Sequence, residues 1–218
     1  MAVLVAVSSA ADPPKNNESW FQKLARILGV DRAPVNLKGP ASAGEGEIWI
    51  APADHPDPHP VAKGNFRAPV FQPGTKSLFA LRGSSLVRVA LTDGTVTPVR
   101  DLAGAVKLVG FDQSNPDRLL TVFSAGDSLV DIVLISVKTG KREMIAARQA
   151  TGSREVQSLL GWERRYGEIV VLPQGGDIIV SGAAPDDRNV SDCGNAQCSQ
   201  PTYSPELRQV AFIRTQRP

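Results

Sequence analysis

The chain has 218 residues, 42% hydrophobic and 21% charged, with a formal net charge of +2. That length buries one substantial core, as one large β domain or two small ones. The small charge, with no run of lysine or arginine, excludes a surface built for nucleic acid or for an anionic membrane, and no stretch is long enough to cross a bilayer as a helix.

The first residues, "MAVLVAVSSAADPP", set a short apolar run before small residues at Ser8 to Ala11 and then Asp12-Pro13-Pro14. The pattern is that of the apolar core and cleavage zone of a secretory leader, without the basic residues that usually precede them. An ordinary first strand or a disordered tail are the alternatives. Residues 1–17 are therefore expected to be leader-like or disordered. Residues 18–30 follow as a helix: Trp20, Phe21, Leu24, Ile27 and Leu28 share one face, Asn17 or Ser19 caps the start and Gly29 stops it. That face either packs on the main domain or docks a partner; Lys23 and Arg26 are offset by Glu18, which weakens any attraction to a membrane. Residues 31–45 are a linker rich in Pro, Gly and Ala.

From residue 46 onward strand signals dominate. "GEIWIA" (46–51) reads as a strand, with a short one near Pro60-Val61-Ala62. Residues 69–99 read as four short strands: one around Val70 and Phe71, a turn at Pro73-Gly74, "SLFALR", "LVRVAL", and a tight hairpin at Asp93-Gly94 into "TVTPV". The same order recurs over 108–145, with Phe111, an Asn115-Pro116-Asp117 turn, "RLLTVF", "DIVLISV", a Thr139-Gly140 hairpin and "KREMI". A weaker copy spans 159–182, where Trp162 takes the aromatic position; residues 183–200 read as mostly loop. A period of about 40 residues with four strands each is the pattern of β-propeller blades. One blade cannot bury both of its faces alone, so blades stack around an axis.

The stretch "PTYSPELRQVAFIR" (201–214) opens one more copy. Joined to "GEIWIA", it makes one composite blade from the two ends of the chain, removing an open sheet edge. The expected fold is thus all-β: a small propeller of about four four-stranded blades over residues 46–218, closed by N- and C-terminal strands, with one N-terminal amphipathic helix.

"PVFQPGTKSLFALRGSSLVRVALTDG" and "PTYSPELRQVAFIR" resemble the TolB-like propeller repeat, shared with prolyl-oligopeptidase-type propellers. That repeat runs aromatic-Ser-Pro-Asp-Gly-Lys and then an apolar strand. This chain departs from it at Gln72 and at Glu206-Leu207. The resemblance implies a fold and not a reaction. The family's peptidase activity resides in a separate hydrolase domain, to which nothing here corresponds.

The chemistry-bearing residues are few. Cys193 and Cys198 sit close enough to close a small loop; a disulfide is the first reading, giving about 2 kcal/mol, with free thiols next and a metal or redox pair after that. In "DHPDPHP", His55 and His59 with Asp57 offer imidazole and carboxylate to a metal, although the prolines make an extended turn the simpler reading. Asp187, Asn189 and Ser191 alternate as in calcium loops but lack the glycine and closing glutamate. "WERRYGE" places Trp162, Arg164, Arg165 and Tyr166 together as a candidate binding rim. No nucleophile elbow, P-loop or dinucleotide fingerprint is present, and with two histidines in one loop a Ser-His-Asp triad is hard to build.

The leading functional expectation is a non-enzymatic module, needing no cofactor, that lies outside the cytoplasm (periplasmic or secreted) and binds a protein or cell-envelope component. The alternatives are a hydrolase or lyase using the propeller channel, with or without a metal, and a structural module that forms homo-oligomers.

Overall fold

The structure is a computed structural model and describes residues 19–28, 44–182 and 187–216. The leader-like segment 1–17 and nearly all of the 31–45 linker lie outside the described residues. In chain order the elements are α1 (Trp20–Leu28), β1 (Gly46–Pro52), β2 (His59–Phe71), β3 (Ser77–Arg82), β4 (Ser85–Ala90) and β5 (Val96–Asp101). Next come β6 (Ala105–Asp112), β7 (Asn115–Ser124), β8 (Leu129–Ser136), β9 (Arg142–Ala150) and α2 (Arg154–Leu160). The chain continues through β10 (Arg164–Tyr166), β11 (Ile169–Gln174), β12 (Asp177–Ser181), β13 (Arg188–Asn189), β14 (Ala196–Ser204) and β15 (Gln209–Gln216).

All strand pairs are antiparallel. They form one seven-stranded sheet, in the order β14-β15-β1-β2-β3-β4-β5, and two four-stranded sheets, β6-β7-β8-β9 and β10-β11-β12-β13. The large sheet divides inside β2. Residues up to Phe66 pair with β1, and residues from Arg67 pair with β3. At the junction Ala68 adopts a φ of 51°, which re-aims the strand as a bulge does. Four units of four strands result: β14, β15, β1 and the front of β2 (the terminal unit); the rear of β2 with β3–β5 (first); β6–β9 (second); and β10–β13 (third). In the terminal unit β15 and β1 pair without a connecting turn, Ile48 facing Ile213 and Ile50 facing Ala211.

The apolar runs in the strands follow from burial on both faces. In β3, Leu78 and Ala80 join a cluster with Ile48, Ile50 and Ile213 of the terminal unit. Phe79 and Leu81 point the other way, into a cluster with Phe111, Leu119 and Ile135 of the second unit. Successive side chains of a strand alternate between faces, so two buried faces erase the usual polar alternation. A third cluster joins Val171, Ile178 and Val180 of the third unit to Tyr203, Val210 and Phe212 of the terminal unit. The remaining face of the second unit (Leu120, Val122, Ile132, Leu134) is covered by helices instead, through Leu24 and Ile27 of α1 and Val156 and Leu159 of α2.

Arginines tie neighbouring units together. Arg67 donates to the carbonyls of Ala105 (2.9 Å), Val106 (3.0 Å) and Gly83 (3.2 Å). From β5, Arg100 donates to Val137 O (2.8 Å) and Lys138 O (3.1 Å) in the β8–β9 turn. From β13, Arg188 donates to Asp54 O in the β1–β2 turn. The outer strand of one unit thus reaches the last hairpin of the next, twice. Gly94 makes a third such contact: a Cβ there would stand 2.2 Å from Val61 O, so only glycine lets that hairpin approach β2 so closely.

Several expectations change. The strands expected near Pro60–Ala62 and around Val70–Phe71 are one strand of 13 residues, because the bulge bends the chain without ending its pairing. Within residues 183–200, read as mostly loop, the described residues include β13 and the start of β14 at Ala196, whose backbone pairs with the C-terminal strand, Ala196 facing Gln216. Helix α2 was not anticipated. It is capped by Ser153, whose Oγ accepts from Val156 N, and carries Glu155 in its first turn, as helix starts favour. Buried Lys107 serves its other end, donating to Leu160 O (2.8 Å) and Gly161 O (2.5 Å).

Removing residues 201–218 deletes β15 and uncovers the edge of β1 and one face of β3. The expected outcome is loss of cooperative melting, or association seen by sedimentation; a stable monomer would refute the role given to the β15–β1 pair. Phe212→Ala, at a fully buried position, is expected to cost about 3–5 kcal/mol in denaturant unfolding.

Candidate functional site

The first strands of all four units meet around one cavity of about 90 Å³. Phe71 of β2, Phe111 of β6, Tyr166 of β10 and Thr202 of β14 line it, and α1 closes one side with Phe21, Leu24 and Leu28. It continues into a more polar chamber of about 270 Å³, which shares Leu28, Phe71, Gln113 and Tyr166 and adds Ser204 and Glu206. Each unit brings its first hairpin to this cleft: Pro73 from β2–β3, Gln113 from β6–β7, Gly167 from β10–β11, and Pro205 with Glu206 from β14–β15.

Polar contacts between neighbouring hairpins hold the rim. Gly74 N donates to Glu206 Oε2 at 2.8 Å, joining the first unit to the terminal one. Gln72 Nε2 donates to Pro116 O at 3.3 Å, joining the first to the second. These are the positions where the chain departs from the TolB-like repeat, so the departures are the residues that bridge the units. Below the rim, Gln200 is fully buried and in the left-handed region, at φ 55°. Its side chain accepts from Ala68 N and donates to Gly44 O (2.9 Å). One amide therefore pins the bulges of two adjacent inner strands. Sequence reasoning missed Gln200, because nothing local marks a glutamine whose partners are more than a hundred residues away.

Helix α1 is fixed to the second unit by backbone and charge. Gln113 N donates to Ile27 O at 2.9 Å, and Lys23 Nζ stands 2.9 Å from Glu143 Oε1. Arg118 also pairs with Glu143, and lies 3.4 Å from the buried Asp112. The Lys23 hydrogen bond, helped by the Lys23, Arg118 and Lys141 charges, holds the Glu143 carboxyl below the usual glutamate range.

The expected rim residues part company. Arg165 and Tyr166 line the cavity, Arg165 exposed and without an ion pair among the described residues. Tyr166 and Tyr203 meet edge to face at 5.3 Å, and Tyr203 N donates to the Tyr166 hydroxyl at 3.3 Å. Burial, opposed by the Arg208 charge, raises the Tyr203 phenol above its ordinary value. Trp162 packs against the core between the first and second units, with Lys107 Nζ 3.6 Å from its ring centre. Arg164 opens β10 opposite Val171.

The histidines lie elsewhere. His55 is exposed, its Nδ1 2.9 Å from Asp54 Oδ1, and His59 Nδ1 sits 3.3 Å from Asp57 O. Among the described residues no three His, Cys, Asp or Glu side chains converge as a metal site. In the 187–192 stretch, Asn189 Oδ1 accepts from Ser191 N and Asp192 N, and the Ser191 hydroxyl turns to Asp177 Oδ1 at 3.1 Å. Cys193 and Cys198 form a disulfide buried in the cluster between the third and terminal units. Among the described residues no helix is long and apolar enough to cross a membrane.

No family model and no curated protein sequence matches the chain. Among solved structures it is similar to an Agrobacterium tumefaciens protein assigned as TolB, at 15% identity and a TM-score of 0.43, over 76% of this chain and 60% of that one. It is similar to TolB from Acinetobacter baumannii at 11% identity and a TM-score of 0.39, over 79% and 64%. A chain of the nidogen/laminin complex gives 11% identity and a TM-score of 0.34, over 77% and 70%. The chain thus spans less than two thirds of the length of either TolB structure.

A carboxylate whose value is lowered on folding stabilises the fold above its unfolded value, and that contribution is lost as pH falls through the lowered one. Acidification through the carboxylate range is therefore expected to loosen α1, seen in Trp20 emission in a chain with Trp49 and Trp162 replaced by Phe. Glu143→Gln in that background should remove this part of the pH response and cost about 0.5 kcal/mol at neutral pH, since the pair is half exposed. An unchanged pH response in the Gln variant would show that Glu143 does not hold the helix.

Proposed function

We propose that the four units are the blades of a small TolB-like β-propeller, closed by the β15–β1 pair, and that it is a non-enzymatic module binding a protein or cell-envelope partner. In this reading residues 1–17 are a leader-like segment, 18–30 the helix, 31–45 the linker and 46–218 the ring. The partner docks where the four first hairpins converge on the cleft. That convergence is the observation that carries the proposal: it places aromatic and proline side chains, Phe71, Tyr166, Pro73 and Pro205, around one opening, and such rigid apolar groups with polar neighbours favour protein contacts.

An extracytoplasmic location is supported by the Cys193–Cys198 disulfide, since such bonds persist in oxidising compartments.

The test is a photo-crosslinking amino acid placed at Pro205 on the cleft, with Asp127, in the β7–β8 turn, as the control. A partner crosslinked from Pro205 and not from Asp127 is the expected result, and equal labelling from both would remove the cleft from consideration. The two cysteines should resist alkylation in protein taken directly from its native compartment. Cys193→Ser with Cys198→Ser should lower stability by about 2 kcal/mol.

A further inference from the structure

The axial cavity has the composition of a small-molecule site. Its walls are apolar on α1, β2, β6 and α2, through Leu24, Leu28, Phe71, Phe111 and Leu159. The third unit adds two polar side chains of its own. Arg165 carries a guanidinium with no ion pair among the described residues, and Tyr166 offers a hydroxyl that accepts from Tyr203 N but has no acceptor for its own proton among them. Apolar cavity walls accept the apolar body of a ligand, while a few convergent polar groups set its orientation. The volume, about 90 Å³, suits one ring or a short alkyl chain, and the adjoining chamber of about 270 Å³ leaves room for a hydrated polar end.

We propose that this cavity binds a small carboxylate with an apolar body, such as an aromatic or short aliphatic acid, the body lying between α1 and the inner strands and the carboxylate facing Arg165 and the Tyr166 hydroxyl. Guanidinium and carboxylate form charge-assisted hydrogen bonds, which are stronger than those between neutral groups. The one acid in the chamber, Glu206, is already engaged by Gly74 N at 2.8 Å, and Gln113 lines both the cavity and the chamber as a neutral side chain. Because α1 forms one wall, a bound ligand also ties the helix to the ring. The cavity shares Phe71, Pro73 and Tyr166 with the partner cleft, but the ligand assignment rests on the cavity lining and Arg165 and not on a partner being bound.

The experiment uses the full chain and two probes of equal size, benzoate and benzyl alcohol, followed by calorimetry and by the proton spectra of the cavity aromatics. Benzoate is expected to bind with a dissociation constant on the order of 1 mM and roughly tenfold more tightly than benzyl alcohol. Arg165→Gln, at an exposed position that should leave folding intact, is expected to erase that preference while sparing benzyl alcohol. Ala25→Phe, which fills the cavity from α1, should abolish binding of both; its circular dichroism is compared with that of the parent chain, and Val70→Phe fills the same space from β2 if α1 is lost. Equal binding of the two probes, or an unchanged benzoate preference in Arg165→Gln, would overturn the carboxylate assignment. Absence of binding by either probe would overturn the site itself. Neither result touches crosslinking at Pro205, which lines the chamber and not the cavity, so the two readings fail separately.

Discussion

Burial of sheet faces against neighbouring units is the constraint on which the structure depends. A small four-stranded antiparallel sheet rich in apolar residues carries too much apolar surface to leave its faces in water. The sheets here solve this by facing one another. Phe79 and Leu81 look to the second unit while Leu78 and Ala80, on the same strand, look to the terminal one. Each such face removes apolar surface from water, at roughly 25 cal/mol per Å². No unit keeps that gain without its neighbours.

The polar contacts follow from the same packing. Sheets that meet face to face leave their hairpin backbones in close opposition, and the carbonyls there need donors. Arg67, Arg100 and Arg188 supply them across unit boundaries, while Gln200 joins two bulges at the centre. Where the second unit has no sheet against its outer face, α1 and α2 take that place. The cavity lies at this substitution, with α1 on one side and Leu28, Phe111 and Tyr166 around it.

Much of this order was legible in local sequence. Strands β3, β4, β7, β8, β11 and β12 and the hairpins at Asp93-Gly94 and Thr139-Gly140 are marked by apolar runs and turn residues, whose effects act within a few positions. The amphipathic face of α1 was equally plain. The pairing of "VAFIR" with "GEIWIA" followed from matching repeat phases at the two ends. What escaped was whatever depends on distant partners. The strand character of 196–200 comes from pairing with the C-terminal strand, and α2 falls mostly between the stretches read as the second and third repeats, 108–145 and 159–182. For the candidate site, Arg165 and Tyr166 were picked out as part of an aromatic and basic cluster. That Trp162 would turn instead to Lys107, and that Gln72 and Glu206 would bridge units, required coordinates.

The sequence by itself determined a recurring order of strands, the mostly β character of the described residues from 46 onward, the helix Trp20–Leu28 and the closeness of the two cysteines, because hydrophobic period and turn chemistry act over short distances. Only the tertiary structure decided that α1 lies against the second unit, that four hairpins share one cleft, and that Arg165 stands beside an apolar cavity. Those facts depend on how whole sheets stack, and stacking is fixed by the shape and area of surfaces that no local stretch of sequence contains.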